Sequence, residues 1–123
     1  MTPFGKKIRQ IRRTKNVSLK EMAEGVGVSS AYLSALEHGK RGTPTWAMVQ
    51  RIIAYFNIIW DEAEELQRLA EISNPRIVVD TAGLDPKATE LANRLSNDIG
   101  RVDTSVLEDM IFMLSKGVVT NHD

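Results

Sequence analysis

The 123-residue sequence predicts a mainly α-helical protein: a five-helix bundle over residues 1–73, then a short strand and two more helices over residues 74–123. Three observations lead there. Apolar residues recur at helical spacing along most of the chain, as in Phe4, Ile8 and Ile11. Residues that start helices precede these runs, and Gly or Pro follows them. Charge is sharply divided: residues 1–57 carry ten Lys or Arg against three acids, and residues 58–123 carry six against thirteen. A formal total of zero therefore conceals halves of +7 and −7. A basic half suits a polyanion, whereas an acidic half is repelled from phosphate and needs another task.

The first helix is expected over residues 3–15, with Pro3 near its start and Lys6, Lys7, Arg9, Arg12, Arg13 and Lys15 around its apolar stripe. Residues 17–40, VSLKEMAEGVGVSSAYLSALEHGK, read as two short helices joined by a tight turn. Ser18 can cap the first of these while Glu21 bonds back to the cap, so that helix starts at Leu19. Met22, Ala23 and Val26 form its inner face, and Gly25 and Gly27 end it where the chain must change direction. Val28 plugs the angle between the helices. Ser29 or Ser30 caps the second, which runs to about Glu37 with Leu33 and Leu36 inward. Its outward set is Ser30, Ala31, Ser34, Ala35 and His38, with Tyr32 beside them. A helix that merely meets water usually carries Lys, Glu and Gln there, so a face of small side chains suits close approach to a ligand.

Lys40 to Pro44 form a loop, and Thr45 caps a fourth helix in which Trp46, Val49, Ile52, Ile53 and Phe56 make an apolar stripe expected in the core. Asn57 breaks that pattern. Asp61 and Glu64 are placed as a capping box for a fifth helix running to about Ile72, with Ala63, Leu66, Leu69, Ala70 and Ile72 as its buried side. After Ser73-Asn74-Pro75, the run Arg76 to Asp80 has strand propensity but no second strand to join. It either lies against the bundle or pairs with its copy in another subunit, the second being favoured. Asp85-Pro86 opens a sixth helix through Ala88, Leu91, Ala92, Leu95 and Ile99, stopped by Gly100. Ser105 and Glu108 read as the box of a seventh. There Val106, Leu107, Met110, Ile111, Phe112, Met113 and Leu114 cover nearly the whole circumference before Gly117. A helix apolar almost all round needs cover on both sides, which in a small chain points to a partner subunit. The expected dimer seam is Ile77, Val78, Val79, Leu107, Met110, Ile111 and Leu114. The alternative is that the seventh helix folds back over its own chain.

The run A-x-x-x-G-V at Ala23, Gly27 and Val28, the run L-x-x-L-E-x-G-K from Leu33 to Lys40, and Pro44 before an amphipathic helix resemble the lambda-repressor-like (Cro/Xre) helix-turn-helix family over roughly residues 4–58. The resemblance implies four to five helices and sequence-specific binding of double-stranded DNA as a homodimer, with the second motif helix in the major groove. It places Ser30, Ala31, Ser34, Ala35 and His38 at base edges. Lys6, Arg9, Arg13, Ser29, Tyr32, Lys40, Arg41 and Thr43 are then the phosphate contacts. It also implies that Arg12 pairs with Glu37, a structural link rather than a base contact. Family members commonly carry Gln where this chain has Leu19, so the phosphate contact made there is left open.

Cysteine is absent, which excludes disulfides, thiolate catalysis and Cys-based zinc sites. With only His38 and His122 besides, no familiar metal or nucleophile constellation can be assembled. An enzyme is therefore not expected, nor any cofactor. No apolar run approaches the ~20 residues of a membrane span, and a cytoplasmic, nucleoid-associated protein is expected. The alternative to a dimeric repressor is a protein-binding family member, such as an antitoxin or an anti-activator, using the acidic half.

Overall fold

The computed structural model describes residues 1–40 and 42–119, so Arg41 and His122 lie outside the described residues. The chain divides into two compact units, Met1–Ile77 and Val78–Asp123.

The first unit contains α1 (Pro3–Thr14), α2 (Leu19–Val26), α3 (Ser30–His38), α4 (Trp46–Phe56) and α5 (Trp60–Glu71). Local capping chemistry sets most of their starts. The Thr2 hydroxyl accepts from the Gly5 N–H at 3.0 Å, with Pro3 following at the first helical position. At α2 both halves of the capping box form, Glu21 N–H to Ser18 Oγ at 3.0 Å and Ser18 N–H to Glu21 Oε1 at 3.3 Å. Ser29 caps α3 through the Tyr32 N–H, and Thr45 caps α4 through the Met48 N–H.

The core is continuous through the unit: Phe4, Ile8, Met22, Leu33, Leu36, Ile52 and Leu66 are fully enclosed. The expected inner faces of α1, α2 and α3 are all found there. The ends of the bundle are joined through Ser73, which is buried just past the end of α5. Its hydroxyl accepts from the Phe4 N–H at 2.9 Å and donates to the Leu69 carbonyl at 2.5 Å, so one side chain satisfies the start of α1 and the end of α5 together.

Several expectations are corrected. Trp46 is 75% exposed, and Met48 takes the inward position instead. Trp46 lies roughly 120° round the helix from Ile52, at the margin of the stripe rather than its centre. Ile72 is 65% exposed because α5 stops at Glu71 and the chain turns Ser73 inward. Asp61 does not cap α5: the helix begins one residue earlier at Trp60, after Ile59, with no side-chain cap. Trp60 itself sits at φ 56°, a left-handed conformation that costs a bulky residue energy.

The expected strand is absent, and no strand occurs among the described residues. Residues 76–80 are irregular and exposed, and Val78 is almost wholly uncovered. The backbone is turned locally by Asn74, whose side-chain carbonyl accepts from the Arg76 N–H, and by Asp80, whose carboxylate accepts from the Ala82 N–H. Propensity without a neighbouring strand to bond does not make a sheet.

The second unit holds α6 (Pro86–Asp98), a 3-10 turn (Ile99–Arg101) and α7 (Thr104–Gly117). Asp85 caps α6 as expected, accepting from the Lys87 N–H at 2.8 Å. The box expected at Ser105 and Glu108 does not form: α7 starts at Thr104, behind Asp103, without a side-chain cap. No residue of these three elements is buried. No helix of the described residues is long and apolar enough to cross a membrane.

Candidate nucleic-acid interface

Between α2 and α3 the chain reverses within three residues. Gly27 stands at φ 88°, a left-handed conformation open to glycine at no steric cost, and both its N–H and that of Val28 return to the Ala23 carbonyl at 2.9 Å. Ser29 then opens α3 at once. At the far end, Gly39 is left-handed and the Lys40 N–H returns to the Ala35 carbonyl at 2.9 Å. The helix is thus closed by hydrogen bonds at both termini, and its orientation is fixed from beneath by the buried Leu33, Leu36 and Glu37.

The deepest fixing point is ionic. Glu37 is held by Arg12 of α1, Nε to Oε1 at 3.1 Å and Nη2 to Oε1 at 3.0 Å, with a weaker Nη2 to Oε2 contact at 3.3 Å. The side chains are only 12% and 3% exposed, so the pair the resemblance implied is present and lies inside the joint between α1 and α3. Close backbone approach completes that joint. A Cβ at Gly5 would stand 1.9 Å from the Glu37 carbonyl oxygen, and the Thr2 N–H reaches the same carbonyl at 3.3 Å.

Of the five residues expected at base edges, Ser30, Ala31 and His38 are exposed, while Ser34 and Ala35 are half-covered. His38 Nδ1 lies 2.8 Å from the Ser34 carbonyl. A carbonyl only accepts, so Nδ1 carries the proton and Nε2 remains for an outside partner. The Ser29 oxygen is engaged by the Tyr32 N–H, yet its own O–H can still donate, and Tyr32 is half-buried against the core.

Lys6, Arg13, Lys40 and Thr43 are exposed and Arg9 is half-exposed. The three basic residues of α1 stand at i, i+3 and i+7 and share one face. That face lies beyond Gly5 and Arg12, the residues that meet α3. Lys7, on the opposite flank, lies 3.9 Å from Glu65 of α5. Arg12 and Lys7 are thus occupied, whereas Lys6, Arg9, Arg13 and Lys40 make no ion pair among the described residues. Arg41 falls outside the described residues. No group of three or more potential metal ligands occurs among them.

A family model described as a helix-turn-helix domain matches residues 5–72, more than half of the chain. The chain belongs to the Xre/Cro-like helix-turn-helix family. Among curated proteins it is 36% identical over 61 residues to the uncharacterized HTH-type transcriptional regulator RghRB of Bacillus subtilis, covering 50% of this chain and 44% of that protein. It is 31% identical over 61 residues to the HTH-type transcriptional repressor RghR of the same organism, covering 50% and 45%. To the HTH-type transcriptional activator BcrR of Enterococcus faecalis it is 36% identical over 74 residues, covering 58% and 36%. The match thus spans about half or less of each of these relatives. No solved structure matches the chain.

Reasoning from the sequence does not single out Thr2, Gly5 and Ser73 as parts of this site. Thr2 is within reach, because Thr2-Pro3 repeats the cap-then-proline pattern used at Asp85-Pro86. Gly5 and Ser73 act across long sequence separations and leave no local signal.

Proposed function

We propose that the chain is a cytoplasmic, sequence-specific DNA-binding transcriptional regulator. Residues 1–73 read the major groove through α3, residues 74–123 join two copies on a two-fold operator, and the complex acts as a repressor. The observation that carries this is the outer face of α3, where small side chains sit on a helix locked from below by Leu33, Leu36 and the Arg12–Glu37 pair. Such a face allows the helix backbone close to base edges. Ser30 and Ser34 can hydrogen-bond there, Ala31 and Ala35 can meet thymine methyls, and His38 Nε2 can accept from an exocyclic amine. No Arg or Gln on this face offers a bidentate contact, so DNA shape carries part of the specificity. Occupying a promoter is all that a repressor requires. RghR bears the name of a repressor and BcrR that of an activator, so both signs of regulation occur among the relatives.

One reading helix spans a single half-site, and the second half-site lies about 34 Å away on the same groove, which calls for a dimer. Leu107, Met110, Ile111 and Leu114 of α7 are its proposed seam. Leu107 and Met110 are half-covered and the other two exposed. The same uncovered helix favours, as a second reading, capture of another protein.

Selection from a randomised duplex library tests the proposal. The parent chain should enrich a two-fold site, and the Ser30→Ala, Ser34→Ala double variant should enrich a different one. An unchanged preference removes these serines from base reading, and no enrichment by the parent removes the DNA-reading function. Lys40→Ala should weaken specific and unrelated duplexes about equally and lower the salt slope by roughly 0.9, the share of a single neutralised phosphate. Titration at several salt concentrations measures this, and a slope equal to the parent's contradicts the role.

A further inference from the structure

We infer that Ser73 and Pro75, just past the end of α5, are positioning residues for the reading helix: with Thr2 at the start of α1 they set where the last turn of α3 presents His38 and Lys40. This rests on the DNA-reading proposal above and adds to it a determinant of specificity that touches no DNA. His38 closes α3 and Lys40 follows its Gly39 cap, so both lie beyond the enclosed Leu33 and Leu36 that hold the helix from beneath. That end is fastened from outside at two points. The Glu37 carbonyl, one of the four that a helix end leaves open, accepts from the Thr2 N–H at 3.3 Å. Gly39, left-handed at φ 75°, closes against the chain that leaves α5: a Cβ there would stand 2.7 Å from the Thr2 methyl and 3.9 Å from Pro75 Cβ.

Thr2 keeps this bearing only while the first turn of α1 stays in place. Pro3 has no N–H to anchor it, and the Gly5 N–H is taken by the Thr2 hydroxyl within the same turn. The outside anchor is the Phe4 N–H, which donates to Ser73 Oγ at 2.9 Å. Phe4 is fully enclosed, so no water replaces that acceptor. Ser73 is held in turn, since its buried hydroxyl donates to the Leu69 carbonyl at 2.5 Å. A continuous line of bonds thus runs from Leu69 of α5 through Ser73, Phe4 and Thr2 to Glu37 in the reading helix. The opposite end of α3 is set locally, by the Ser29 hydroxyl and the Tyr32 N–H. Hydrogen bonds to base edges tolerate only a few tenths of an ångström, so a small swing of the last turn changes what His38 reaches and leaves Ser30 where it was.

Amide NMR spectra of the isotope-labelled full chain, recorded without DNA, test the link by itself. In Ser73→Ala the amides of His38, Gly39 and Lys40 should move while those of Ser30 and Ala31 stay as in the parent. Ser73→Thr keeps the hydroxyl and should return them. Selection from a randomised duplex library then reads the consequence. Ser73→Ala should bind the parent's site about tenfold more weakly and relax preference at the base pairs that His38→Ala also relaxes, sparing those that Ser30→Ala changes. Ile52→Val, a core change in α4 outside this line of bonds, should leave the preference as in the parent. Parent-like amides at residues 38–40 in Ser73→Ala overturn the inference. So does an even loss of preference along the whole site, which marks a merely loosened fold. Shifted amides in Ser73→Ala beside a parent chain that enriches no duplex leave the link standing and remove the DNA-reading proposal instead. If Ser73→Ala does not fold, Pro75→Gly removes only an exposed ring from the same joint, and parent-like amides at residues 38–40 there overturn the inference equally.

Discussion

Arg12→Ala should lower the unfolding free energy by about 3–5 kcal/mol, because the Glu37 carboxyl would be left inside the joint between α1 and α3 without its partner. The loss is large beside the ~5–15 kcal/mol that holds a typical domain together. Both side chains are nearly enclosed and the contact uses two guanidinium nitrogens. Arg12→Lys retains the charge without the fork and should fall between. Replacing both partners together, as Arg12→Met with Glu37→Met, should restore most of the stability, since the cost comes from the orphaned carboxyl and not from an exceptionally favourable pair. Urea denaturation followed by circular dichroism measures all four proteins. Parent-like melting of Arg12→Ala together with abolished DNA binding would reverse the assignment and make Arg12 a DNA contact.

Gly5→Ala should cost about 3 kcal/mol, although alanine is the better helix former. Its methyl would meet backbone, the carbonyl of Glu37, at 1.9 Å, and because Cβ is fixed by the main chain no rotamer relieves the clash. α1 and α3 would have to separate, which lengthens the Arg12–Glu37 bonds and exposes the edge of the core at Phe4 and Leu36. The same denaturation experiment applies. A Gly5→Ala chain as stable as the parent, or more so, would mean the two helices are not this close. The effects of Gly5→Ala and Arg12→Ala should also sum to more than the loss in the double variant, because each opens the same joint.

What is legible in the sequence is what is local. Ser18 with Glu21, Thr45, Asp85 with Pro86, and the glycines after α2 and α3 act within four residues of themselves, and each does what its position foretells. The outward set on α3 follows from spacing alone, once Leu33 and Leu36 are placed inside. Competing signals mislead where the chain offers two. Asp61 and Glu64 have the spacing of a capping box, but Ile58 is anchored in the core and the helix starts at Trp60, ahead of that box. Trp46 is apolar and in phase with its neighbours, but its place at the margin of the stripe leaves it outside. Illegible altogether is the tertiary joinery: Gly5 under Glu37, and Ser73 over Phe4. The Arg12–Glu37 pair comes from family resemblance and not from any pattern in the residues between them.

The Ser73 bridge also makes the start of α1 depend on the end of α5. The hydrogen bond that secures the start of α1 joins residues 69 apart in sequence. That contact closes a long span of chain, so its loop-closure entropy must be met before the bond can contribute. A chain cut short before Ser73 would leave the Phe4 N–H without this partner, so truncation at the end of α5 should loosen the start of α1 although every residue of α2 and α3 is present.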